Sequence, residues 1–211
     1  MARTRTRVKF CGITQLGDAL AAVDCGVDAL GFVFHPASPR YLAPEKAAAI
    51  IAALPPFVAT VGLFVDAPVD HVRNVAASVQ LDLVQYHGAE DPERCRLAGC
   101  RYIKAIPMKS DVDLALAAAR YDDAAALLLD AYHPVLAGGT GQVFDWASVP
   151  AARAKPIILA GGLSAENIAS AISIVAPYAV DVSGGIEKNK GIKDLEKMRA
   201  FMSEVCRIER G

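Results

Sequence analysis

Short apolar, often β-branched runs recur along the chain. Each is followed by a longer stretch in which apolar residues return every three or four positions. The runs predict strands at Val8–Cys11, Ala29–Phe34, Val58–Val65, Leu83–Tyr86, Tyr102–Ile106, Ala126–Asp130, Pro156–Ala160 and Ala179–Val182. Near-continuous apolar character is what parallel strands covered on both faces require. The stretches between them predict helices. Thr14 is placed to cap the first, with Leu16, Leu20 and Val23 on its apolar face. Pro44 opens the second, with Ala47, Ile50, Ile51 and Leu54 inward. Others start near Pro68, Asp91 and Ser110, and the sixth is weakest, a short turn around Asp145–Val149. Ser164 is placed to cap the seventh, with the stripe Ile168, Ala171, Ile172 and Val175; the last shows Leu195, Met198, Met202 and Val205.

Eight such units in one uninterrupted series predict a single-domain (β/α)8 TIM barrel over residues 1–211. The rival architecture, an open doubly wound sheet, usually carries GxGxxG after its first strand, and that pattern is absent here. With 54% hydrophobic and 21% charged residues, the chain is expected to bury a core without metal or disulfide staples. A net charge of −1 speaks against nucleic acid as a partner. No apolar run is long enough to predict a membrane span. Met1 to Arg7 lacks the apolar segment of a signal peptide and reads as a solvated lead-in. The five cysteines, Cys11, Cys25, Cys95, Cys100 and Cys206, match no zinc or redox spacing, which points to a reducing compartment, the cytoplasm. Cys25 and Cys206 are expected to be small hydrophobes on helix faces.

A barrel of this kind gathers its chemistry at the carboxyl ends of the strands. Glycine-rich turns follow strands seven and eight, where backbone N–H groups can converge on an anion. Gly161, Gly162, Ser183, Gly184 and Gly185 are therefore the candidate phosphate site, plain tight turns being the alternative. Cys11 ends strand one; it is a base or nucleophile if its pKa is lowered, and otherwise an ordinary buried thiol. Asp130 follows three leucines; it is an acid if desolvated, and otherwise a capping or paired carboxylate. Arg40, between Pro39 and Tyr41, is a carboxylate clamp or a solvated arginine. His87 and His133 are catalytic alternatives, although His87 reads better as a wall residue with one hydrogen bond. His35 and His71 read as structural or exposed. The histidines do not cluster with carboxylates at metal-ligand spacing, so no metal is expected.

Several segments then fit one family: Val8-Lys9-Phe10-Cys11-Gly12-Ile13-Thr14, Ser38-Pro39-Arg40, Val84-Gln85-Tyr86-His87-Gly88, Gly138-Gly139-Thr140-Gly141, Leu159-Ala160-Gly161-Gly162 and Asp181-Val182-Ser183-Gly184-Gly185-Ile186-Glu187. In order, and over nearly the whole chain, they resemble the phosphoribosylanthranilate isomerase family of tryptophan biosynthesis. The resemblance implies that Cys11 is the general base, Asp130 the general acid, and Arg40 the holder of the substrate's carboxylate. It also implies a substrate pocket with His87 and a loop around Gly139, Thr140 and Gly141 that closes over the ligand. The implied reaction is an Amadori rearrangement of a phosphorylated small molecule, with no metal or organic cofactor, no nucleic acid and no membrane. One departure stands in the last loop. The family often has Ser-Gly-Val-Glu and then Pro-Gly, whereas this chain has Gly184-Gly185-Ile186-Glu187 and then Lys190-Gly191.

Two rivals are set against this reading. The histidine-pathway barrel isomerase is expected to carry aspartate at the position of Cys11. A non-catalytic binder of phosphorylated ligands would need the turns but no acid and base. Ordinary pKa values near ~8.5 and ~3.9 leave both Cys11 and Asp130 in the wrong state for their roles at neutrality. The site must therefore bring the values toward neutrality, cations and helix N-termini lowering the thiol's, or work through a small productive fraction.

Overall fold

The computed structural model describes residues 5–109, 111–131 and 144–210. Strands and helices alternate: β1 (Arg7–Cys11), α1 (Leu16–Asp24), β2 (Ala29–Val33), α2 (Pro44–Ile51), β3 (Ala59–Phe64), α3 (Val69–Val79), β4 (Leu83–Tyr86), α4 (Pro92–Leu97), β5 (Tyr102–Met108), α5 (Leu114–Arg120), β6 (Ala126–Ala131), β7 (Ile157–Leu159), α6 (Ile168–Val175) and β8 (Ala179–Val182). A hairpin, β9 (Glu187–Asn189) and β10 (Ile192–Lys193), precedes the final helix α7 (Leu195–Arg210). Strands β1 to β8 pair in chain order, all parallel, and β8 closes onto β1. The fold is the predicted (β/α)8 barrel. Where the sixth helix was weakest, the described residues hold a single 3-10 turn, Trp146–Ser148.

Strand phase decides what enters the barrel. On β1, Phe10 points outward and meets the ring of Phe201 on α7 edge-on, with centroids 6.0 Å apart. Lys9 and Cys11 therefore point inward, because successive strand side chains alternate between faces. The interior is filled by a compact set that includes Val61, Ile103, Ala105, Ala126, Leu128 and Ile158. A much larger cluster packs the outward strand residues against the helices.

Several local expectations change. In α1 the buried face is Ala19 and Ala22, whereas Leu16 and Leu20 are 42% and 39% exposed and Val23 is only half-buried. Two helical stripes compete in this sequence, and the alanine stripe lets the short helix lie close on the barrel. Thr14 does not cap α1; its hydroxyl donates to the Gly191 carbonyl instead. Helix α5 begins at Leu114 rather than near Ser110, because Asp113 caps it by accepting from the N–H groups of Ala115 and Leu116. Ser164 does not cap α6 through its side chain; its own N–H donates to Asn167 Oδ1 at 2.9 Å. The lead-in is less solvated than expected: Thr6 is buried, and the Arg7 guanidinium lies 4.3 Å over the Tyr178 ring. Cys206 is exposed and Cys25 half-buried, so neither is a fully buried hydrophobe. No helix among the described residues is long and apolar enough to cross a membrane.

Candidate active site

The carboxyl ends of the strands open onto a cavity of about 460 Å³. Cys11, Arg40, His87, Asp130, Gly161, Gly162, Ser183, Gly184 and Gly185 all line it. Gly139, Thr140, Gly141 and His133 lie outside the described residues. His35, expected to be structural or exposed, also lines the cavity, whereas His71 is exposed on α3.

Cys11 is buried where β1 meets β2, opposite Gly31 in register. A Cβ on Gly31 would lie 2.7 Å from Cys11 Sγ and 2.9 Å from Lys9 Nζ, so β2 leaves space there for both groups. Lys9 Nζ donates to Asp181 Oδ1 at 2.8 Å and lies on the same inward face of β1 as Cys11. Burial pushes the Cys11 thiol up, and the pull of Lys9 does not overcome it. The expected lowering is therefore not met, because removal of the sulfur from water outweighs the neighbouring cations.

Arg40 is not a solvated arginine. Its Nε and Nη2 grip the two oxygens of Glu187, each at 2.7 Å, which leaves the Nη1–Nη2 edge of the guanidinium for a second carboxylate. Glu187 Oε1 also accepts from Lys193 Nζ at 3.1 Å and from the Gly191 N–H at 3.2 Å. Burial raises the Glu187 carboxyl, but Arg40 and Lys193 more than offset this and hold it below its ordinary value. Lys193 Nζ donates to the carbonyls of Cys11 at 2.6 Å and Ser183 at 3.2 Å, fastening the β9–β10 hairpin to the ends of β1 and β8. Gly191, in the loop that departs from the family pattern, turns that hairpin at φ +81°.

Asp130 is buried at the end of β6, with Oδ2 3.0 Å from His87 Nε2. His87 makes two side-chain contacts rather than one, because its Nδ1 lies 3.0 Å from Gln85 Nε2. Gly161 lets β7 approach this corner: a Cβ there would sit 2.4 Å from the Ala131 nitrogen and 3.0 Å from Asp130 Oδ1.

The two glycine-rich turns are pressed together. A Cβ on Gly185 would lie 2.0 Å from the Leu163 carbonyl oxygen, and Gly161 and Gly162 take φ of +81° and +67°. Asn167 Nδ2 donates to the Gly162 carbonyl at 2.9 Å and fixes the first turn. Ser183 Oγ is buried with no partner among the described residues. Such converging backbone suits an anion.

Sequence reasoning missed Lys9, Gln85, Asp181 and Lys193 and the pairing of Glu187 with Arg40. A signal for two of them was present. Lys9 shares the strand phase of Cys11, and Asp181 that of Ser183, so a charge inside an otherwise apolar strand marked a polar spot in the barrel.

Fold and site together have the architecture of the barrel enzymes that handle phosphorylated small molecules: glycine-rich turns after strands seven and eight, with ionisable groups around the mouth. The family model for N-(5′-phosphoribosyl)anthranilate isomerase matches residues 8–204, and the chain belongs to that family. It is 53% identical to the N-(5′-phosphoribosyl)anthranilate isomerase of Nitrosococcus oceani over 95% of this chain and 98% of the relative. The crystal structure of phosphoribosyl anthranilate isomerase from Thermotoga maritima superposes with a TM-score of 0.88 at 41% identity, covering 96% of this chain and 99% of that one. A crystal structure of phosphoribosyl anthranilate isomerase in complex with reduced 1-(o-carboxyphenylamino)-1-deoxyribulose 5-phosphate gives 0.83 at 40% identity, covering 96% and 99%.

Proposed function

We propose that this chain catalyses the Amadori rearrangement of N-(5′-phosphoribosyl)anthranilate to 1-(2-carboxyphenylamino)-1-deoxyribulose 5-phosphate, a step of tryptophan biosynthesis, in the cytoplasm. The observation that carries the reading is the meeting, in one cavity, of a thiol, a carboxyl, an arginine and a double glycine turn. The substrate has matching parts: a sugar ring, a benzoate and a phosphate. The phosphate lies in the turns of Gly161–Gly162 and Ser183–Gly185, and the benzoate carboxylate on the free edge of Arg40.

Asp130 gives its proton to the furanose oxygen. The C1–O bond breaks, and the nitrogen lone pair forms a C1=N iminium. Cys11, as thiolate, removes the C2 proton; the C–H electrons form C1=C2 and neutralise the nitrogen. The resulting enolamine loses its O2 proton and gains one at C1, giving the ketone. Protons balance overall, and no electron leaves the substrate. His87 holds Asp130 in place against the wall formed by Gly161.

Purified protein supplied with the substrate labelled with 13C at C2 tests the function. Conversion of the C2 carbinol signal to a ketone signal, unaffected by EDTA, is the expected result. A folded protein that leaves the substrate unconverted contradicts the proposal.

A further inference from the structure

Inside the barrel, at the cavity's edge, lies a buried ion pair that no step above uses. The side chains of Lys9 and Asp181 are 5% and 9% exposed. Such a pair is a weak source of stability, because desolvation offsets the attraction and apolar substitutes are often as good or better. The neighbouring interior positions are alanine, valine, leucine and isoleucine. What distinguishes the pair is its place. Lys9 and Cys11 share one face of β1, and Gly31 across the ladder keeps clear of both.

We propose that Lys9 is a positioning residue for the base: its ammonium is the counter-ion that stabilises the Cys11 thiolate, and Asp181 holds that ammonium in place. The proposal rests on the reading of Cys11 as the base. Four charged groups act on the thiol: Lys9 on its own strand, Asp181 on β8, Lys193 on β10, and Arg40 from the loop after β2. Arg40 and Lys193 both donate to Glu187, so part of their charge is answered there. Lys9 shares the inward face of β1 with the sulfur, both close to Gly31, and exerts the largest downward pull on its pKa, while Asp181 acts in the opposite sense. The ammonium itself stays charged, because Asp181 and Cys11 raise its pKa despite burial. Burial favours the protonated thiol, and the fraction of Cys11 present as thiolate, which takes the C2 proton, lies beside a fixed cation.

The test reads the thiol directly. Iodoacetamide alkylates thiolates, and peptide mass spectrometry separates Cys11 from the other four cysteines. In Lys9→Met, alkylation of Cys11 at pH 7 should be about tenfold slower, with the same limiting rate at high pH. That substitution leaves Asp181 unpaired. If circular dichroism shows it unfolded, Lys9→Gln combined with Asp181→Asn carries the test. It should shift the titration in the same direction, since the cation outweighs the carboxylate at the sulfur. A purely structural role for Lys9 predicts otherwise: a loosened barrel would expose Cys11 and leave its titration unchanged or lower it. A folded variant with unchanged or lowered titration overturns the proposal. Failure of the base reading is a separate result, seen as retained turnover in Cys11→Ser, and it does not depend on the alkylation rates.

Discussion

Arg40 enters the cavity with one edge of its guanidinium engaged by Glu187, so a substrate carboxylate would have to meet the other edge. Arg40→Ala should weaken binding of the carboxylate-bearing product by ~1.5–3 kcal/mol, the range for a lost charge-assisted bond. Binding of an analogue without the benzoate carboxylate should change much less. Titration calorimetry with both ligands checks this, and equal losses for the two would remove the clamp role. That Cys11, Asp130 and Arg40 line the cavity was legible, because strand ends and a proline-bounded loop mark them in one dimension. The partners of these residues were not. Glu187 lies 147 positions from Arg40, and Asp181 172 from Lys9, so only closure of the barrel brings them together. The upward shift of the Cys11 thiol was likewise beyond the sequence, because burial depends on what surrounds the sulfur.

Strands were the most readable elements, since apolar runs between turn residues leave little choice of register in a parallel barrel. Helix faces were less so. In α1 both stripes have helical spacing, and the larger residues lost to Ala19 and Ala22 because closeness to the barrel, not residue size, set the contact. This assigns opposite costs to two substitutions. Leu20→Ala should stay within ~0.5 kcal/mol of wild type, as exposed substitutions do. Ala22→Leu should cost ~1–3 kcal/mol through overpacking. Urea unfolding of the two variants is the measurement; a larger loss for Leu20→Ala would restore the leucine stripe to the core. The start of α4 was legible near Asp91, whose side chain accepts from the Arg94 N–H at 2.8 Å, whereas the cap was misread at Thr14, whose hydroxyl is drawn to the hairpin.

At the scale of the molecule, the contacts that tie the β9–β10 hairpin to the rim of the barrel mouth are ionic, and pH reaches them. The Glu187 carboxyl sits below its ordinary value of 4.5, held there by Arg40 and Lys193 against burial. A group with a depressed folded pKa contributes stability that is full above the unfolded value and lost as pH falls through the folded one. Acid below about pH 4.5 should therefore release the β9–β10 hairpin from Arg40. Glu187→Gln should lower Tm at neutral pH and flatten the acid-side loss of Tm seen in the wild type. Parallel acid slopes for the two proteins would remove Glu187 from the acid response. If one cavity sets an acid and a base on a phosphorylated substrate, kcat of Cys11→Ser and Asp130→Asn with N-(5′-phosphoribosyl)anthranilate reads it out. Each variant should lose at least ~10²-fold in kcat, the size of a missing general acid or base, while its affinity for product stays near that of the wild type. Near wild-type turnover in either variant would contradict the account.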